Sequence, residues 1–379
     1  MNILVISSNY PSLQTPNYGA FVYNLMQEMA REHQITVISP LKLHLLWKPK
    51  QETYGCEANE VKRPIFLSLS NKKIGFIDTG RLSHYSYKKA IQKEIKRIKQ
   101  KPDVIYTHFI ANAIPILDYA SENNIPIVVA SGESTYTSLE QRSEEVKKKL
   151  IENIAHIICV SQENKEQLVQ IGFKRDKISV IPNAVDYGLF RPLDKKQCKE
   201  KIGVSSEKFT VGFIGHFIHR KGPNRIIEAI EKLNDKDIQL VCVGSRGELK
   251  ENDFTTILPP VPNMRLPEIY NAFDVFVLPT LHEGSCNVIE EAKACCLPII
   301  SSRGTSVEEQ IEDDVTGVLI DPMNIEEIGS EIARMREDEM YRVKFTNNLK
   351  DLVGENSLEN RANKILKILE EIKERYAYE

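Results

Sequence analysis

No run of apolar residues in the 379-residue chain reaches the length needed to span a bilayer. The opening Met1-Asn-Ile-Leu-Val-Ile-Ser-Ser has neither the basic start nor the small-residue cleavage region of a secretory leader. A cytoplasmic location is therefore expected. Excess charge of either sign is also lacking: 50 basic and 53 acidic residues leave a formal charge of −3, too balanced to draw the whole molecule to nucleic acid. Any anion site must be local. The seven cysteines are odd in number and scattered through apolar segments, and the adjacent Cys295 and Cys296 have no CxxC partner. That spacing argues against zinc and against a disulfide framework, and for reduced, packed thiols. No compact cluster of metal ligands, internal repeat or low-complexity tract is visible, and tryptophan occurs once, at Trp47.

What the chain does have is a composition of ordinary soluble proteins, with 41% hydrophobic and 27% charged residues, and a length that favours two cores over one. Short apolar runs alternate with stretches of helical periodicity, the pattern of buried parallel strands joined by crossover helices. Strands are predicted at residues 3–6, 35–38, 104–107, 127–130, 157–160 and 178–181. The pattern then repeats at 211–214, 240–243, 256–258, 275–278, 299–301 and 318–320. Between the two sets, Ile181-Pro-Asn-Ala-Val-Asp-Tyr-Gly-Leu-Phe-Arg-Pro reads as a connector and hinge. The expected division is a first domain over 1–188, a second over 189–357, and a terminal helix over 358–379 with Ile365, Leu366, Ile368, Leu369 and Ile372 near one side. Residues 41–76 show neither period. A helix near 88–101 carries Ile91, Ile95 and Ile98 on one stripe and seven basic residues elsewhere, a face suited to solvent or to an anionic membrane surface.

The segment with most chemical content is Ala272-Phe-Asp-Val-Phe-Val-Leu-Pro-Thr-Leu-His-Glu-Gly-Ser-Cys-Asn-Val-Ile-Glu-Glu-Ala. It reads as a strand, a glycine-containing turn and a helix starting near Asn287. Such a turn presents unpaired backbone N–H groups and the positive end of a helix dipole, which together attract phosphate. Glu283 and Glu291 flank it, and carboxylates accept hydrogen bonds from hydroxyls. Phosphate between two polyols is the anatomy of a nucleotide-sugar. A second element, Val211-Gly-Phe-Ile-Gly-His-Phe-Ile-His-Arg-Lys-Gly-Pro-Asn-Arg, is a strand and loop opening an amphipathic helix, with Arg220 and Lys221 at a helix start, where cations call for an anion. Gly19 opens a helix after the first strand and loop. Ile127-Val-Val-Ala-Ser-Gly-Glu places Ser131 and Glu133 at a strand end, and His108 ends another.

In order and spacing these segments resemble the retaining glycosyltransferases of family 4, along nearly the whole chain. The resemblance implies the GT-B architecture: two Rossmann-like, doubly wound α/β domains facing across a cleft, with the terminal helix crossing back to the first. It implies that Glu283 contacts the transferred sugar and Glu291 the ribose hydroxyls, and that Gly284, Ser285, Cys286 and Asn287 offer backbone amides to sugar and diphosphate. Lys221 matches the family's phosphate-gripping lysine. The matching arginine is replaced by His216, whose imidazole would have to be protonated beside phosphate unless Arg220 substitutes. Gly19 would let backbone approach the donor phosphates. Ser131 stands where many relatives carry a histidine directed at the sugar, and Glu133 could contact donor or acceptor.

The activity implied is metal-independent transfer of a sugar, with retained anomeric configuration, from a nucleoside-diphosphate donor. UDP is the commoner donor nucleotide. The acceptor would be a glycan, a lipid-linked intermediate or a small molecule, as in bacterial surface-polysaccharide synthesis at the inner face of the membrane, with no cofactor beyond the donor. A donor-binding but non-catalytic partner protein, or a nucleotide-sugar epimerase or hydrolase on the same architecture, are the alternative readings.

Overall fold

The computed structural model describes all residues except 17, 51–59, 71–72, 75–76, 134, 246, 251, 355 and 379, and of 73, 74 and 77 only the backbone. The chain forms two compact units, Met1–Ile181 with Leu358–Glu379, and Pro182–Ser357. The first break falls before the position 188 expected from sequence. The reason is local: Val185 donates its N–H to Asn356, Leu193 to the Asn271 side chain, and the ring of Phe190 lies edge-on to Tyr270. The connector is thus part of the second unit.

The first unit is built on a seven-stranded sheet. Edge to edge it runs Ile178–Val180, Ile154–Cys159, Ile127–Ser131, Val104–His108, Asn2–Ile6, Gln34–Ile38 and Glu60–Lys62, all parallel. Both faces are covered, which is why the strands read as near-continuous apolar runs. Ile3 and Val5 pack in one layer and Leu4 and Ile6 in the other. One layer contains helix Thr79–Ile95, through Ile91 and Ile95. The other contains helix Ala20–Met29 and the terminal helix Leu358–Tyr378, whose Ala362, Ile365, Leu366, Leu369 and Ile372 are buried there. The return of the tail to the first unit agrees with the sequence reading.

The basic helix differs from expectation. It spans Thr79–Ile95, begins on an Asp78 cap that accepts from the N–H of Gly80 and Arg81, and stops before Lys96, so residues 96–101 lie outside it. Its early turns were unreadable because they pack through hydroxyls: Ser86 and Ser83 accept from the Leu67 and Leu69 N–H groups. Trp47 is exposed, at the end of the short helical turn Leu43–Trp47. The rest of the ambiguous stretch falls partly outside the described residues.

The second unit holds a six-stranded parallel sheet in the order Thr255–Leu258, Ile238–Val243, Phe209–Ile214, Val275–Leu278, Ile299–Ser302 and Val318–Ile320. Strand order reverses in sequence between Phe209–Ile214 and Val275–Leu278. In doubly wound sheets the crevice at the carboxyl ends of such a strand pair is where ligands sit. The loops leaving these two strands are 215–222 and 279–286. No helix among the described residues is long and apolar enough to cross a membrane, and the six described cysteines are free and buried.

Candidate active site

The two loops at the second sheet's switch point are zipped together. The Leu281 N–H donates to the Arg220 carbonyl at 2.8 Å, the Arg220 guanidinium donates to the His282 carbonyl, and Ser306 Oγ donates to the Glu283 carbonyl. Beneath them lies Arg225, buried in helix Pro223–Leu233, whose guanidinium donates to the carbonyls of His219 at 2.9 Å and Pro279 at 2.6 Å. Gly222 is required above it. Its φ is +76°, and a Cβ there would lie 2.4 Å from Arg225 Nη2. Nothing but an arginine interrupting an amphipathic stripe signalled Arg225 in the sequence.

This frame brings three of the expected residues onto one point. Lys221 Nζ and Arg220 Nη1 lie 2.8 and 2.9 Å from the same Glu283 oxygen, Oε1, which also accepts from Thr280 at 3.2 Å. Glu283 and Lys221 are largely buried and Arg220 is about a third exposed. Burial works against the Lys221 ammonium, but the Glu283 carboxylate 2.8 Å away outweighs it and holds its pKa above the usual lysine value. His216 is exposed, with its carbonyl accepting from Ile218. The cation that joins Lys221 on Glu283 is therefore Arg220.

Helix Asn287–Ala294 starts immediately after, on a Cys286 cap that makes no side-chain capping bond. The expected row of four donors is interrupted. The Cys286 N–H donates to Gln310 Oε1 at 2.7 Å, and Gln310 returns bonds to the Cys286 carbonyl and to Glu290. The N–H groups of Gly284, Ser285 and Asn287 have no acceptor among the described residues, and the buried Ser285 Oγ has no partner. Gln310, which the sequence reading did not single out, thus fixes the turn. Burial pushes the Cys286 thiol up to about 12, so it stays protonated.

Glu291 is half-buried on the same helix. Burial raises its pKa to about 7, against the opposing hydrogen bonds of Asn263 and of Tyr270, whose hydroxyl donates at 2.7 Å. Its neighbour Glu290 is fully buried and bound to Lys293, Gln310 and Asn356, a structural role.

The remaining candidates belong to the first unit, around the ends of its own switch-point strands. Gly19 has φ +77°, and a Cβ would lie 2.4 Å from the Asn9 carbonyl. The backbone alone demands glycine there. Glu133 is bound on both oxygens, by Ser131 Oγ at 2.5 Å and the Ile110 N–H at 2.9 Å, and burial raises its pKa. Ser131 Oγ also meets the Tyr136 hydroxyl. His108 is a packed histidine within reach of Phe21, Tyr106 and Phe109; burial drives its pKa down to about 3 and its Nδ1 has no partner among the described residues.

Two family descriptions fit this chain in succession: Glycosyltransferase Family 4 over residues 19–188 and Glycosyl transferases group 1 over residues 194–352. The chain belongs to the family 4 glycosyltransferases. TuaC of Bacillus subtilis, whose name assigns it to teichuronic acid biosynthesis, is 24% identical over 93% of this chain and 94% of its own. The UDP-Gal:alpha-D-GlcNAc-diphosphoundecaprenol alpha-1,3-galactosyltransferase of Escherichia coli is 28% identical over 70% of this chain and 75% of its own. The D-inositol 3-phosphate glycosyltransferase of Paenarthrobacter aurescens is 24% identical over 63% of this chain and 65% of its own, so the match spans slightly under two thirds of that relative. Among solved structures, sucrose-phosphate synthase of Thermosynechococcus elongatus superposes with a TM-score of 0.78 at 16% identity, covering 98% of this chain and 99% of that one. HepE of Anabaena, solved with UDP and glucose, gives 0.73 at 16% identity over the same shares. The fold of this glycosyltransferase is therefore GT-B.

Proposed function

We propose that the chain is a retaining, metal-independent glycosyltransferase that moves a sugar from a UDP-sugar to a glycan or lipid-linked acceptor in bacterial surface-polysaccharide synthesis. The observation that carries the reading is the convergence of Lys221 and Arg220 on Glu283, at the mouth of a helix whose first N–H groups are unpaired. In this reading the donor diphosphate takes the two cations and the N–H groups of Gly284, Ser285 and Asn287, while Glu283 turns to the hydroxyls of the transferred sugar. Glu291 accepts from the ribose hydroxyls. Arg220 fills the place of the family arginine that His216 leaves.

As the bond between the sugar C1 and the diphosphate oxygen breaks, about two negative charges build on the leaving group. Two cations and a helix N-terminus can stabilise them without a metal ion. The acceptor oxygen bonds to C1 on the face the diphosphate leaves, and its proton passes to a phosphate oxygen of the departing UDP. Ser131 and Glu133 are assigned to the sugar or acceptor side, with Gly19 shaping the first loop. The names of the Bacillus and Escherichia relatives support the polysaccharide setting, and the HepE complex supports UDP as the nucleotide.

The test is calorimetric titration of UDP and GDP with chelator present. UDP is expected to bind, and Lys221→Ala and Glu291→Ala each to weaken it at least tenfold, the scale of a lost charge-assisted hydrogen bond. Wild-type protein that binds neither nucleotide would sink the assignment.

A further inference from the structure

Tyr270 stands in the second unit's core where a phenylalanine would pack equally well. Its side chain is fully buried, with its ring edge-on to those of Phe276, Phe190 and Phe273 at centroid distances of 5.7, 6.0 and 6.3 Å. Three rings leave it no room to swing, so the core fixes where its hydroxyl points. A buried hydroxyl needs a partner, and this one donates to Glu291 Oε2 at 2.7 Å. Burial and the neighbouring Glu291 carboxylate hold the phenol pKa well above its ordinary value, so the hydroxyl keeps its proton and remains a donor.

Glu291 receives a second neutral donor, the Asn263 side chain. Both donors come from one stretch of chain. Asn263 opens the turn Asn263–Arg265, and Tyr270 lies in helix Leu266–Asn271 directly after it. That helix is itself tied down: Asn271 donates to the carbonyls of Arg191 and Pro267 and accepts from the Leu193 N–H. No cation pairs with Glu291 among the described residues. Its neighbour Glu290, by contrast, is closed off by Lys293, Gln310 and Asn356. A carboxylate has about four acceptor sites. Two neutral donors fix the plane of this one and leave acceptor capacity open.

We propose that Tyr270, assisted by Asn263, is a positioning residue that aims the Glu291 carboxylate at the ribose hydroxyls of the donor nucleotide. The inference rests on the nucleotide-sugar reading above and deepens it. A carboxylate already held in its bound orientation loses little rotamer freedom when the ribose arrives, so the affinity for ribose is set by a hydroxyl that never touches the ligand. Phenylalanine at this position would keep the packing and lose only the aim.

The experiment compares calorimetric titrations of UDP and of its 2′,3′-dideoxy analogue, which lacks both ribose hydroxyls. They are run at about pH 9, above the Glu291 pKa of about 7, so that the carboxylate is charged. Wild type is expected to prefer UDP by about tenfold or more. Tyr270→Phe should cut that preference by roughly threefold or more, through UDP alone. An unchanged affinity for the analogue then shows that the fold and the diphosphate site are intact. Asn263→Ala, at a half-buried turn, should act in the same direction and decides the matter if Tyr270→Phe does not fold. In a Glu291→Ala background neither substitution should alter the affinity for either compound. Equal weakening of both compounds, an unchanged preference beside a lower melting temperature, or a full effect of Tyr270→Phe without Glu291 would overturn this inference alone. Wild type that binds no UDP, or binds both compounds alike, overturns the nucleotide reading and this inference with it.

Discussion

The Glu283 carboxylate holds Lys221 and Arg220 at 2.8 and 2.9 Å. An arriving diphosphate must compete with that carboxylate for both cations. Glu283→Gln removes the competitor, so UDP is expected to bind severalfold more tightly to this variant even as sugar transfer is lost. Weaker UDP binding, measured by calorimetry beside Lys221→Ala, would mean that Glu283 does not oppose the phosphate. Glu291 offers a second residue-level test. Its folded pKa of about 7 lies above the usual carboxylate value, so the folded protein keeps a proton that the unfolded chain releases. The contribution of Glu291 to stability should fall as pH rises from about 5 to about 7. Glu291→Gln should flatten that slope, gaining on the order of 2 kcal/mol at the alkaline end after allowance for its partial exposure. Denaturant melts of both proteins across that range would check it, and parallel slopes would count against it. Gly19 shows the opposite kind of residue, fixed by backbone geometry. A Cβ placed 2.4 Å from Asn9 at φ +77° strains Gly19→Ala by about 1–3 kcal/mol or more whatever the loop binds.

At the level of elements, the terminal helix follows the second unit in sequence yet packs in the first. Leu369 is fully buried among the first unit's side chains. Leu369→Ala is expected to cost about 2–5 kcal/mol, felt as faster hydrogen exchange in residues 2–38 and not in 209–302. Loss of protection confined to the second unit would contradict the packing. The sequence disclosed this helix because its apolar stripe is long, and it disclosed twelve sheet strands because strands buried on both faces are apolar throughout. The thirteenth, Glu60–Lys62, pairs on one side only and carries two charged residues in three, so no period announces it. Helix Thr79–Ile95 was misplaced for a related reason: serine hydroxyls, which carry no hydrophobic signal, dock its early turns. In the site, Lys221, Glu283 and Glu291 were legible because charges at a strand–turn–helix junction are conspicuous. Arg225 and Gln310 act on backbone carbonyls and amides brought together only by folding, which no local pattern encodes.

For the whole molecule, the histidines of the first unit and two glutamates of the second oppose each other in sign between about pH 7 and pH 5. In the first, burial lowers the pKa of His33, His84, His108 and His156, the last two to about 3 and about 4. Below their unfolded value near 6.5 the unfolded chain takes up protons that the folded unit refuses, so acidification weakens this unit. Glu133, with a raised pKa, acts in the opposite direction. The second unit has Glu291 and Glu331, both raised mainly by burial, and each gains stability in the folded state as pH falls toward the ordinary carboxylate range. Between about pH 7 and pH 5 the first unit should therefore lose protection while the second gains it. Hydrogen exchange, corrected for the intrinsic pH dependence of amide rates, would resolve the units separately. A common shift in both would show that their stabilities move as one; opposite shifts would show that burial of neutral histidine on one side and protonated carboxylate on the other sets the acid response.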